Sequence, residues 1–187
     1  VPPDLPERGR LFDRRDGNNL EVELKSALPA ERQVRVIGAT WLDQQLVTGG
    51  AEIGTQGFGG EVRSLLATRG AFLVEQQLAK LENGRVVLAG NAIATLRQRD
   101  LAAGAAKIVA ETGRAYRPFR EGHAISGTYR RALWLASGQF AVLDDGRAFS
   151  LVPWRPVLAG REGQAMSAMV RGDSVTWQLG RQRTLSR

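Results

Sequence analysis

The sequence contains no cysteine and, in 187 residues, a single histidine, His123. Without cysteine there is no disulfide and no thiolate-held metal. One imidazole excludes two- and three-histidine metal sites, and no run of clustered carboxylates suggests an oxygen-only Mg²⁺ site. Lysine is nearly missing as well. Lys25, Lys80 and Lys107 are the three, so 23 of the 26 basic residues are arginine. No apolar run reaches the roughly 18 residues that suggest a membrane span. The start, Val1-Pro2-Pro3-Asp4, lacks a signal-peptide pattern, and a first residue other than Met fits a processed chain or a fragment.

What is present is positive charge. Twenty-six Lys and Arg against 19 Asp and Glu leave a net charge of +7. The arginine fork binds phosphate at two points and stacks on bases, which suits a nucleic-acid partner. A GC-rich coding bias would also write arginine for lysine, so charge alone leaves both readings open. The expected partner is DNA, met through its phosphate backbone, with no membrane span, no metal and no cofactor.

Residues 1–25 are rich in Pro, Gly and charge and read as a linker or the end of a preceding module, with Leu20–Leu24 as one short strand. Residues 26–113 read as helical. Ser26 with Pro29 starts a short helix, and Thr40 caps a second that carries Trp41, Leu42 and Leu46. The glycines from Gly54 to Gly60 lack the Gly-Lys-Ser/Thr ending of a phosphate loop and read as a connector. From Val62 to Leu78 apolar residues recur at helical spacing, with Gly70 either tolerated or dividing the helix. Asn83-Gly84 between two apolar arms predicts a tight hairpin, and Asn91 starts a further helix. Helix, hairpin, helix suits a winged-helix arrangement and equally a plain helical core with one hairpin.

Residues 114–187 change texture. Short segments around Ile125–Tyr129, Phe140–Val152 and Ser174–Gly180, with a turn at Asp145-Gly146, predict a small β-barrel or a strongly twisted antiparallel sheet, followed by a basic tail. The fold class expected is therefore α+β.

Little here promises catalysis. His123 follows Glu121-Gly122, a turn that favours the surface, and no Gly-x-Ser-x-Gly elbow exists for a triad. Asp144 and Asp145 sit at a turn, where aspartate is favoured for geometry. Tyr116 and Tyr129 could in principle attack a phosphate, but no acid or metal cluster accompanies them. Basic and aromatic residues interleave twice, in Arg114–Arg120 and Tyr129–Trp134, which suits backbone binding with base stacking. The candidate DNA-contacting residues are Arg97, Arg99, Arg114, Arg117, Arg120, Tyr129, Arg130, Arg131, Arg155, Arg181 and Arg183. Trp154 and Trp177, near prolines and expected to be exposed, would suit a groove for an extended peptide.

A set of collinear phrases carries a resemblance. Val36-Ile-Gly-Ala-Thr-Trp-Leu-Asp-Gln-Gln-Leu46, Gln56-Gly-Phe-Gly-Gly-Glu-Val62, Phe72-Leu-Val-Glu-Gln76, Ala136-Ser-Gly-Gln-Phe-Ala141, Phe149-Ser-Leu-Val-Pro-Trp-Arg-Pro156 and Val175-Thr-Trp-Gln-Leu-Gly-Arg-Gln-Arg183 occur in this order over nearly the whole chain. Together they resemble the C-terminal region of bacterial relaxases of the VirD-like class, the mobilisation nucleases of conjugative elements. The resemblance implies a bacterial, cytoplasmic, non-catalytic accessory region of a longer protein, acting at a transfer origin. In that family the nicking tyrosine and metal-binding histidines lie in an N-terminal domain, so no catalytic residue carries over. Coupling and secretion proteins are the partners implied if the region docks protein instead of DNA.

Overall fold

The computed structural model describes residues 28–49 and 58–180. The strand expected at Leu20–Leu24, the Ser26 cap and the tail arginines Arg181 and Arg183 lie outside the described residues. The order is α1 (Ala30–Gln33), α2 (Trp41–Thr48), α3 (Phe58–Glu75), β1 (Ala79–Glu82), β2 (Arg85–Leu88), α4 (Ala92–Thr112), β3 (Ala115–Tyr116), β4 (Ala124–Leu135), β5 (Gly138–Asp144), β6 (Ala148–Pro153), a 3₁₀ turn (Pro156–Leu158), β7 (Ala165–Arg171) and β8 (Ser174–Leu179). The α+β class is as expected: helices first, then a six-stranded mixed sheet.

Local chemistry accounts for the helix boundaries. Thr40 opens α2 with a capping box in which its backbone N–H donates to Asp43 Oδ2 at 2.7 Å. Gly49, at φ 75°, closes α2 in the left-handed region. α3 begins at Phe58, so Gly59 and Gly60 lie in its first turn instead of in a connector. It also runs through Gly70 without a break. A Cβ at Gly70 would stand 2.7 Å from Val86 Cγ2, so the residue is glycine because the hairpin packs there. The hairpin turns through Asn83 (φ 49°) and Gly84 (φ 76°), the two positive φ values that its sequence requires.

Buried Arg69 ties the helical part together. Its Nε and Nη2 donate to the two Asp43 carboxylate oxygens at 2.7 and 2.8 Å. Its remaining N–H groups donate to the carbonyls of Gln33, Val36 and Gly38 at 2.7–2.9 Å. All five guanidinium donors are thereby satisfied, the condition for a buried arginine. Phe72, Leu73, Leu78, Ala79, Ala92 and Leu96 form the apolar core beside it.

α4 joins this core to the sheet. Leu96 belongs to the helical core, whereas Leu101, Ala105 and Ile108 pack on Phe140, Val142, Phe149 and Leu151. The β4–β5 turn reinforces the junction. Ser137 N–H donates to Asp100 on α4 at 2.7 Å, and Ser137 Oγ accepts from Ala39 N–H at 2.9 Å.

The sheet runs β3-β6-β5-β4-β7-β8 and is open, not closed into a barrel. The strand pairs are antiparallel except for β3 with β6, which is parallel over two residues. Long β4 serves two neighbours, pairing through residues 124–128 with β7 and through residues 128–135 with β5. Between these halves the β4–β5 register slips at Arg130, between the pairs Tyr129↔Leu143 and Arg131↔Val142. Such a bulge increases local twist and re-aims side chains. The twisted sheet then covers its own second face, where Tyr129, Ala141, Leu158 and Met166 form one cluster and Leu143, Val152, Ala168 and Val170 another.

Candidate nucleic-acid interface

The arginines proposed from sequence fall on three places. The first lies on the α4 face of the sheet, at the edge where β3, β4 and the β5–β6 turn meet. Strand alternation would send Arg130 and Arg131 to opposite faces. The bulge cancels that alternation. Arg130 Nε reaches Asp144 Oδ2 at 3.1 Å, while Arg131, paired with Val142, holds Glu111 on α4 at 3.0 Å. Arg114, just past the end of α4, pairs with the other Asp144 oxygen. These three guanidiniums, with Thr112, Asp144 and Phe149, line a depression of about 340 Å³.

Asp144 is the buried anchor of this cluster. Burial works against its ionised form. The Gly146 amide, the Arg130 hydrogen bond and the charges of Arg114 and Arg130 together outweigh that, so its pKa is lowered. Asp145 is lowered too, chiefly by the amides of Ala148 and Arg147, with Arg117 adding charge at 2.7 Å. Asp144 and Asp145 are the turn formers expected from their positions before Gly146. The turn hydrogen bonds are real, since Gly146, Arg147 and Ala148 N–H groups all donate to them. The two carboxylates are also the fixed points on which the arginines are arranged.

The second place is the opposite face of the same edge. There Arg117, Arg120 and His123 stand at a cleft of about 510 Å³. The side chains at its base, among them Leu143 and Ser150, alternate with Asp144 and Phe149 of the first depression, so one sheet edge carries basic groups on both faces. His123 is exposed, as its turn suggested.

The third place surrounds the β7–β8 turn. Arg97 approaches Asp173 at 3.6 Å, and Arg155 donates to the Asp173 and Trp154 carbonyls at 3.1 and 3.0 Å. Arg99 is exposed on α4 and meets the Gln76 side chain at 3.4 Å. The structure does not bring Arg97, Arg99 and Arg155 together with the Asp144 cluster around one depression.

Tyr129 requires a correction. It is 0% exposed, packed on Ala141, Leu158 and Met166, and its hydroxyl accepts from Trp154 Nε1 at 3.1 Å. No ring face is left for a base, so it is a core residue. Burial pushes its pKa up, the charge of Glu162 adds to this, and the Trp154 hydrogen bond opposes it. Tyr116 is also raised by burial, with its ring 5.4 Å from that of Phe149. Trp154 and Trp177 are half-buried in the same clusters, and Trp177 Nε1 donates to Pro153 O at 3.2 Å. The exposed indole is Trp134, at 44%.

Among the described residues, no three His, Asp or Glu side chains converge as metal ligands, and no helix is long and apolar enough to cross a membrane. Residues 1–186 match the family model described as "Protein of unknown function (DUF3363)", and the chain belongs to that family. No curated protein and no solved structure matches the chain.

Proposed function

We propose that this chain is a non-catalytic accessory region of a conjugative relaxase, adding sequence-independent DNA affinity to a nicking domain located elsewhere in the parent protein. The observation that carries the DNA-binding reading is the bulge at Arg130. It brings Arg130 and Arg131 together beside Arg114 around one depression, with carboxylates holding the guanidiniums in place. Guanidiniums fixed in this way lose little freedom when they meet a phosphate oxygen. Their in-chain carboxylates offset part of the charge, which favours moderate affinity. The relaxase setting, and with it the bacterial cytoplasm, rests on the collinear sequence resemblance.

Binding of the purified chain to single- and double-stranded DNA should fall steeply between about 50 and 200 mM salt, because each neutralised phosphate releases counterions. Negligible binding at the lower salt, or a flat slope, would end this reading.

The second reading is a module that docks a relaxase to coupling or secretion proteins. Exposed Trp134 favours it, since aromatic side chains are enriched at interface centres. Capture of coupling proteins that survives nuclease treatment would support this role.

A further inference from the structure

We propose that the cleft on the face opposite α4 holds a single unpaired nucleotide of a DNA strand. This deepens the DNA-binding reading and rests on it. The cleft differs in kind from the tri-arginine depression. Its volume, about 510 Å³, falls within the range typical of small-ligand sites. Its lining is divided by chemistry: Phe119, Ile125 and Leu143 supply apolar surface, Arg117, Arg120 and His123 supply basic groups, and Asp145, paired with Arg117, is the one carboxylate. A nucleotide has the same division, a flat apolar base joined to an anionic phosphate.

The segment that builds the cleft is tied to the sheet at both ends. Arg117 N–H donates to Phe149 O at 2.8 Å, and Ser150 Oγ donates to Arg117 O at 2.7 Å. Further along, Gly122 N–H donates to Val170 O at 2.8 Å. Phe119 is thereby wedged half-buried against the sheet, with its remaining surface in the cleft.

The polar groups are disposed for an anion. Asp145 holds Arg117, whereas Arg120 is exposed with no acidic partner among the described residues. His123 Nδ1 lies 3.0 Å from Glu121 O, a carbonyl that only accepts; with the proton on Nδ1, Nε2 is an acceptor suited to an N–H on a base edge, and the phosphate falls to Arg120. A base stacked within a duplex cannot enter such a cleft, so an unpaired base is required. Base–aromatic stacking tolerates any sequence.

The test compares an oligothymidylate strand with a duplex of equal length, using the full chain and its F119L and R120Q variants. Thermal melts first establish that each variant is folded. F119L should weaken single-strand binding by about fivefold or more while leaving duplex binding nearly unchanged. R120Q should also weaken the single strand more than the duplex. Variants that lower both forms equally, or neither, would overturn the nucleotide cleft and leave general DNA binding intact. A wild-type chain that binds neither form removes both proposals.

Discussion

Arg69 and Asp43, 26 residues apart, form a two-point ion pair in which both side chains are 0% exposed. The pair joins α3 to the first turn of α2. Asp43 Oδ2 also accepts from the Thr40 N–H and hydroxyl, so one carboxylate both caps α2 and neutralises the buried cation. Removing one partner strands the other. R69M should therefore cost roughly 3–5 kcal/mol, read from urea unfolding midpoints at unchanged slope. A loss below about 1 kcal/mol would mean that the pair contributes little to the fold.

Gly70 gives a prediction of opposite sign to the one helix propensity makes. In a free helix Gly→Ala gains about 1 kcal/mol. Here the new methyl would meet Val86 Cγ2 at 2.7 Å, and a β-branched side chain has few rotamers with which to yield. G70A should destabilise by about 1–3 kcal/mol, the usual range for overpacking. Adding V86A should recover much of that loss. A stabilised G70A single variant would show that the hairpin can shift away.

The buried Tyr129 hydroxyl accepts from Trp154 Nε1. Y129F leaves the Trp154 N–H without its partner and should cost about 1–3 kcal/mol of stability. DNA affinity should stay the same, since the ring faces the core. A selective loss of binding in a variant that remains folded would return Tyr129 to the interface.

Asp144 sets an acid limb. An unfolded aspartate titrates near about 3.9, and the folded value lies below it, so the unfolded state takes up protons first as pH falls. The stabilising contribution is complete above about pH 4 and is lost as pH drops through the folded pKa. Asp145 acts in the same direction. D144N should lower Tm clearly at about pH 6 and by progressively less as pH falls below about 4, as wild type loses the same contribution. A Tm difference that stays constant across this range would contradict the assignment.

Legibility from sequence followed the range of the forces involved. The Thr40 cap, the Asn83-Gly84 hairpin and the mixed helix-then-strand order depend on neighbouring residues, and the structure contains all three. The start of α3 at Phe58 was not legible, because Gly59 and Gly60 look like loop residues and are held helical nonetheless. β7 was missed for a similar reason. Ala165-Met-Ser-Ala-Met-Val has weak strand propensity, and its alternating burial comes from pairing between β4 and β8. In the candidate interface the arginines were visible as charge. The gathering of Arg130 and Arg131 around one depression was not, because it depends on a one-residue slip against β5 that no local pattern announces.

That slip leads to the most direct test of the DNA-binding reading. Arg130 and Arg131 are each about half exposed and paired with carboxylates, so changing them leaves the core clusters in place. If both guanidiniums contact phosphate, R130Q/R131Q should weaken DNA binding about equally across sequences. The slope of log affinity against log salt should fall by about 1–2, since each lost phosphate contact removes roughly one. A melt would confirm that the variant is folded, and Y129F serves as the variant whose slope should not move. An unchanged slope in R130Q/R131Q would mean that DNA, if bound, lies elsewhere on the chain, and that the bulge arranges these arginines only for Asp144 and Glu111.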